Sequence, residues 1–419
     1  MKILFLLQEF PYPPANGFSW KVFSLLKGIS RRHECHLLSF ANSLPESSKE
    51  AFLLECPTVK VLGIFQPRTT SVLTHLRGLF EVGLPSAGIY SVPEFRQAVR
   101  QALATTSYDV VHIDMINLVQ YAALMDRRST ILSVNDAVSL FHSSLANEMP
   151  SFGGRLNRKL ASKIIARYER KAYCGRVVQL VSKADAEHLK KICSGARFEA
   201  VPLVVDSRYF LERKSRAGSN CQTVVIPANF RGAGTCHSVL EFLETAQRLG
   251  KSRQKSAVVY KLIGPNATPS FIRALSGFDD LEYLGWVEDY VGALAASDLV
   301  VVPERGGGGM KTRVLQAMAL GQAVLLTETV ASAIGVKDGE HCLVCRTTQE
   351  FAEAALWALD RDSARDRLGQ AARAFVQSRH NSEIVMEQWE ALYASVASNA
   401  KKALFIDRPD SKLVHPHSG

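Results

Sequence analysis

Short apolar runs alternate with amphipathic helical stretches along almost the whole chain, and no other feature limits the fold as tightly. "KILFLL" is followed by a Pro/Gly loop and by "GFSWKVFSLLKGISRR", where Phe18, Val22, Leu25, Leu26 and Ile29 share one helical face. "CHLLSF", "VKVLGIF", "DVVHID", "TILSV" and "VVQLVS" read as buried strands, and "PEFRQAVRQAL" and "RLNRKLASKIIARYERKAY" as helices. Strands that are apolar on both faces, separated by helices, imply parallel sheets covered on both sides. A polar segment at about 207–222 interrupts the pattern, which restarts with "TVVIP", "VVYKLIG", "LEYLGW", "DLVVVP" and "AVLLT". The spacing predicts an α/β protein of two doubly wound units, residues 1–206 and 207–382, with ligands at the carboxyl ends of the strands. A helix over 383–400 carries Val385, Trp389, Leu392, Tyr393 and Val396 on one stripe, so it is expected to pack back toward the first domain. Residues 401–419 show no periodicity and are expected to be a tail.

Composition narrows the class. The 419 residues are 47% hydrophobic and 21% charged, enough for two cored domains. No apolar run reaches membrane-spanning length. "KILFLL" is too short for a leader and lacks a cleavage site, so it reads as a strand and the protein as cytoplasmic. Eight scattered cysteines fit reduced thiols, and the lone C-x-x-C at Cys342 and Cys345 reads as two strand-borne thiols, with no metal site expected. The net charge of +10 is unevenly placed: residues 1–210 hold 26 Lys and Arg against 17 Asp and Glu, and the remainder 24 against 23. A basic half suits an anionic surface or substrate. It lacks the interleaved aromatics and modules of nucleic-acid binders, so no nucleic-acid partner is expected.

The stretch "PERGGGGMKTRVLQAMALG" orders a strand end, four glycines and a helix. Gly306, Gly307, Gly308 and Gly309 let the backbone approach a ligand without Cβ clashes. The helix that follows buries Val314, Leu315, Ala317 and Met318, and its free N–H groups and dipole favour an anion. Lys311 and Arg313 can add charge-assisted hydrogen bonds. The stretch is neither a Walker loop nor G-x-G-x-x-G, and a surface turn before a solvated basic helix would have the same composition.

The order "KLIGP", "LEYLGWVED", "LAASDLVVVPERGGGGMKTRVLQAMALGQAVLLTETVASAIGVKDGEHCLV" resembles the retaining glycosyltransferases of family 4, in particular their bacterial exopolysaccharide and surface-glycan branch. "FPYPPANG", "YDVVHID" and "VPLVVDSRYF" agree more loosely. The resemblance implies a GT-B fold: two Rossmann-like domains facing a central cleft, nucleotide-sugar in the second and acceptor in the first. It also implies transfer with retention and without a metal or other cofactor. The partners it implies are a nucleotide diphosphate sugar donor and a glycan or lipid-linked acceptor. Carried over residue by residue, the donor site would include Gly17, Arg231, Gly264, Trp286, Val287, Gly306 to Gly309, Lys311, Arg313 and Gln316. Catalytic candidates are His112, Asp114 and Glu304. Gly308 and Gln316 stand where the family usually has Glu, and Arg231 is the only cation where it usually has a pair. These departures leave a non-catalytic nucleotide-sugar-binding protein of the same fold as the alternative.

Residues 155–176 carry Arg155, Arg158, Lys159, Lys163, Arg167, Arg170, Lys171 and Arg176, with Leu156, Leu160 and Ile164 as the apolar side. Two readings fit this helix: a basic surface lying on anionic lipid, with peripheral placement on the inner face of a membrane, or a solvated face whose apolar side enters the core.

Overall fold

The computed structural model describes residues 1–14, 17–148, 151–210, 221–251, 257–304 and 310–406. Seven parallel strands form the first sheet: β1 (Lys2–Leu7), β2 (Glu34–Phe40), β3 (Val59–Phe65), β4 (Val110–Asp114), β5 (Thr130–Asn135), β6 (Val177–Leu180) and β7 (Arg197–Ala200). Their spatial order is β3-β2-β1-β4-β5-β6-β7. The second sheet holds β8 (Cys221–Pro227), β9 (Ala257–Ile263), β10 (Leu281–Gly285), β11 (Leu299–Val302), β12 (Val324–Thr327) and β13 (Leu343–Cys345), in the order β10-β9-β8-β11-β12-β13. Every pairing between these strands is parallel, so all carboxyl ends of a sheet share one edge.

Apolar side chains on both faces of each sheet explain the layering. On one face of the first sheet, Phe95, Val99, Tyr121, Ile165 and Tyr168 share a core. On the other, Val22 and Leu26 of helix Gly17–Ile29 pack with Val385, Trp389 and Tyr393 of helix Ser382–Ile406. That last helix therefore lies on the first sheet, and it runs six residues into the segment expected to be tail. In the second unit, Val314, Leu315 and Met318 join Val330 and Phe375 on one face, while Val239, Phe242, Phe351 and Ala355 cover the other. Cys342 and Cys345 are buried free thiols, each pushed up to about 12 by burial and so kept neutral.

Of the two readings of the basic helix, the one that puts its apolar side in the core does not hold. Leu156 and Leu160, expected on the apolar side of a basic helix, are 58% and 56% exposed. Helix Phe152–Tyr173 instead turns Ile165, Tyr168 and Glu169 inward. The chain also passes between the two units twice, and the passages are bonded together. Val205 N–H donates to the His380 carbonyl at 2.8 Å, and His380 Nδ1 lies 2.9 Å from the Leu203 carbonyl oxygen. Burial lowers the His380 imidazole to about 4, so this tie is made by a neutral ring.

The helix Thr312–Ala319 ends in a turn at Gly321 that helix Asp362–His380 crosses at Gly369. A Cβ on Gly369 would lie 2.0 Å from the Gly321 carbonyl oxygen, which is backbone and cannot swing aside. Gly369→Ala should cost about 1–3 kcal/mol through overpacking. Chemical denaturation checks this, and an unchanged midpoint would show that the crossing relaxes freely.

Candidate functional site

The carboxyl edges of the two sheets face each other, and two helices begin there. Helix Gly17–Ile29 follows β1, and helix Thr312–Ala319 follows β11. A Cβ on Gly17 would stand 2.9 Å from Thr312 Oγ1, so the two N-termini meet at contact distance. Each brings the positive end of its dipole. Their convergence favours an anion at this place. Gly306, Gly307, Gly308 and Gly309 lie outside the described residues.

Lys311 is the N-cap residue of the second helix and Arg313 lies in its first turn. Both cations converge on Glu304, just past β11. Lys311 Nζ is 3.4 Å from Glu304 Oε2, and an Arg313 guanidinium N–H donates to Glu304 Oε1. Glu304 is 5% exposed, and Thr327 Oγ1 donates to its carbonyl oxygen at 2.9 Å. It is thus no surface residue but the counter-charge of the cation pair. The three side chains together carry one net positive charge.

The first sheet builds its side of the cleft around a lysine that belongs to none of the sequence motifs. Lys21 is buried on helix Gly17–Ile29, and Nζ donates to Asp114 Oδ1 at 2.7 Å, to Ser133 Oγ at 2.8 Å and to Asn135 Oδ1. Ser133 Oγ donates on to Gln179 Oε1 at 2.6 Å. The sequence held a signal for this, because Lys21 is a lone cation within the helix's apolar stripe. Burial raises the Asp114 carboxyl above its ordinary range, and Lys21 pulls it back. Beside this network the backbone is strained: Met115 has φ +72° and Asn135 φ +65°. Such outliers at adjacent strand ends are a mark of functional edges.

His112 does not reach the cleft. Its ring is closed to solvent, lies 4.9 Å from that of Phe5, and meets the Tyr393 hydroxyl through Nδ1 at 2.8 Å. Burial pushes it well below the usual imidazole range, so it stays neutral. The contact with substrate expected of His112 is not available to a ring so enclosed. Asp114, also expected to be catalytic, is engaged by Lys21 below the edge. The carboxylate that does stand at this edge is half-buried Asp136, raised to about 7 by burial first and then by neighbouring Asp185, with Lys311 opposing.

The remaining donor candidates lie on loops leaving the second sheet. Arg231 is exposed just before helix Ala233–Gly250, its N–H held by Asn229 Oδ1 at 3.1 Å. Gly264 has φ +145°, and a Cβ there would fall 1.7 Å from the Ala228 carbonyl oxygen, so only glycine fits where the loops after β8 and β9 touch. Trp286 is 74% exposed past β10, whereas Val287 packs on the core. Gln316 donates through Nε2 to the Tyr209 hydroxyl at 2.9 Å, a contact to the segment joining the two units. A cavity of about 720 Å³ lies on the flank of helix Gly17–Ile29, lined by Trp20, Lys27, Asp206 and Glu387 among others. It borders the two passages rather than the facing strand ends, so the helix-end convergence is the better-supported site.

Residues 222–361 match the family model described as Glycosyl transferases group 1. No curated protein sequence matches the chain. A sucrose-phosphate synthase from Thermosynechococcus elongatus superposes with a TM-score of 0.68 at 14% identity, over 95% of this chain and 100% of that one. Anabaena Alr3699/HepE in complex with UDP and glucose gives 0.65 at 16% identity, over 94% and 100%. WaaG, a glycosyltransferase involved in lipopolysaccharide biosynthesis, gives 0.62 at 14% identity, over 92% and 98%. The fold is GT-B, with two Rossmann-like domains, as the sequence resemblance implied.

Lys21→Met leaves Asp114 buried without its cation and should cost about 3–5 kcal/mol. The loss should depend on pH. A carboxyl whose folded pKa lies above the unfolded value of about 3.9 keeps a proton on folding, so its contribution to stability falls as pH rises between the two. Removing Lys21 lifts the folded value further. The deficit of the variant against the unmodified protein should therefore grow from about pH 4 to pH 7. Denaturation across that range checks this, and a deficit that shrinks toward neutrality would refute the ion pair.

Proposed function

We propose that the protein is a retaining, metal-independent glycosyltransferase of family 4. It moves a sugar from a nucleotide diphosphate sugar to a glycan or lipid-linked acceptor in surface-polysaccharide assembly. The observation that carries this reading is the contact of two helix N-termini at Gly17 and Thr312, with Lys311 and Arg313 beside them. An anion of two or more charges suits that place, and a nucleoside diphosphate is such an anion. The match of 222–361 to a glycosyltransferase model and the UDP held by the Anabaena protein support a uridine nucleotide as the first donor to try.

In this reading the diphosphate sits between the helix ends and draws the cations from Glu304. Arg231 lies beside another helix N-terminus and adds to the same field. Trp286 offers an exposed ring at the loop where the base enters. As the bond from the anomeric carbon to the diphosphate oxygen breaks, negative charge grows on the leaving group, where donors already point. The acceptor hydroxyl forms the new bond on the same face, and its proton passes to the departing phosphate oxygen. The second domain holds the donor and the first the acceptor, so the enzyme's further contribution is register between the two. The basic helix Phe152–Tyr173 gives the acceptor domain its contact with the inner face of an anionic membrane.

Lys311→Ala and Arg313→Ala should each weaken uridine diphosphate binding by about 1.5–3 kcal/mol, the value of a hydrogen bond to a charged group. Calorimetry reads this, and unchanged affinity in both would remove the cradle. A screen of nucleotide-sugars for thermal shift and hydrolysis tests the activity, and binding without any turnover would leave a nucleotide-sugar-binding protein. Gln316→Glu should tighten the donor by about 1 kcal/mol, since Tyr209 can turn its hydroxyl to donate while the new carboxylate accepts from ribose. Weaker binding would place the ribose contact on another residue.

A further inference from the structure

Four buried carboxyls around the facing strand ends each have a partner. Asp114 accepts from Lys21 at 2.7 Å, and Glu304 holds Lys311 and Arg313. Asp185 and Glu169 serve the start of helix Val138–Glu148, accepting from Ala137 N–H at 3.1 Å and from Ser139 N–H at 3.2 Å. Asp136, in the turn between β5 and that helix, is the exception. Its half-buried carboxyl makes no hydrogen bond or ion pair among the described residues. The turn itself is fixed, because Asp136 N–H donates to the Val134 carbonyl at 2.8 Å and Lys21 holds the side chain of Asn135.

Contacts lead from this turn to the anion site in short steps. Lys21, which holds Asn135, lies about one helical turn after Gly17, and Gly17 meets Thr312 at the start of the other site helix. Three charges act on the Asp136 carboxyl. Asp185 on helix Lys183–Ile192 opposes its ionisation, while Lys311 beside Thr312 and Lys21 on helix Gly17–Ile29 favour it. Glu169 and His188 stand behind Asp185. Burial outweighs both cations and carries the carboxyl to about 7, so at neutral pH roughly half of the molecules keep the proton there.

An ionised carboxylate is out of keeping with a site for a diphosphate. It would face the incoming charge across a cleft of low dielectric, and the diphosphate would draw Lys311 away from it. A protonated carboxyl is a hydrogen-bond donor instead, and its O–H to a phosphate oxygen is charge-assisted. Where two acidic groups share a desolvated site, one of them takes up a proton. Asp136 is the group whose surroundings already favour that form.

We infer that Asp136 is a donor-binding residue that works as the neutral acid: it takes a proton from solvent when the diphosphate binds and donates it in a hydrogen bond to a phosphate oxygen. No proton is transferred to the nucleotide; it stays on the carboxyl and returns to solvent when the nucleotide leaves. The inference rests on the proposed place of the diphosphate between the helix ends, and adds to it a side chain from the first domain. Because the carboxyl holds its proton more firmly in the complex than in the free protein, nucleotide binding weakens as pH rises.

Calorimetry of uridine diphosphate binding between pH 7.5 and pH 8.5 tests this, since a terminal phosphate that titrates at about 6 is already fully charged there. The unmodified protein should take up nearly one proton per nucleotide, read from the difference in heat between buffers of unlike ionisation enthalpy. Its affinity should fall roughly five- to tenfold across the range. Asp136→Asn keeps an N–H donor at every pH and cannot ionise. It should bind with no proton uptake and no pH slope, and at pH 8.5 more tightly than the unmodified protein by roughly fivefold or more. Damage to the fold cannot imitate a gain in affinity. Uridine diphosphate bound with no proton uptake and a flat profile overturns the inference and leaves the transferase reading standing. A slope that survives in the Asn variant also overturns it, since another group would then be the one that titrates. So does weaker binding by the Asn variant at both ends of the range, which would make the ionised carboxylate the form the ligand needs. Absence of binding at any pH, for uridine, guanosine and adenosine diphosphates alike, overturns the diphosphate site and this inference together.

Discussion

Two helix N-termini that touch across a cleft present like partial charges to each other, and the rest of the site is arranged around that conflict. Each end carries about half a positive charge, and Lys311 and Arg313 add two whole ones. Unrelieved, this would push the domains apart. Glu304 is the relief: it is buried and ion-paired to both cations. Its single charge leaves the region net positive, which is what a binding site for a multiply charged anion requires. A carboxylate that holds the cations in place keeps them ordered before the ligand arrives, and so reduces the entropy lost on binding.

The first domain meets the same edge with a different device. Besides its helix end, the domain has a buried lysine beneath its strands, and Lys21 fixes the ends of β4 and β5 through Asp114, Ser133 and Asn135. A buried ion pair adds little stability by itself, but it is costly to break and so resists rearrangement. The strained backbone at Met115 and Asn135 sits directly on it. A buried ion pair beneath strained strand ends makes this edge rigid.

The fold was legible because its signal is long-range and redundant. Runs such as "KILFLL" and "DLVVVP" have no polar side to place, so they had to be interior strands of parallel sheets. The site was legible only in part, and the misses share a cause. Position along a strand indicates which edge a residue approaches, but not whether its side chain points across that edge or into a core. His112 was read as a strand-end residue near a ligand, while Phe5, Trp389 and Tyr393 enclose it, two of them from a helix nearly 300 positions away in sequence. For Leu156 and Leu160 the sequence leaves a lipid-facing and a core-facing reading open, because periodicity groups residues on a face without saying which face turns inward, and here Ile165 and Tyr168 do. Lys21 and Glu304 carry charges whose partners lie 93 residues away in one case and seven to nine in the other, and only the second pairing was within reach of a local reading.

The same pieces link the segment that joins the domains to the site. Trp20 Nε1 donates to the Val204 carbonyl at 2.9 Å, which fastens helix Gly17–Ile29 to the first passage between the domains. Val205 N–H and His380 Nδ1 bond that passage to the second. On the far side, Gln316 of the other site helix holds Tyr209, four residues beyond Val205. Each of the two helices whose N-termini meet at Gly17 and Thr312 is therefore fastened to the segment that joins the domains, so one set of bonds holds both the spacing of the helix ends and the joining segment.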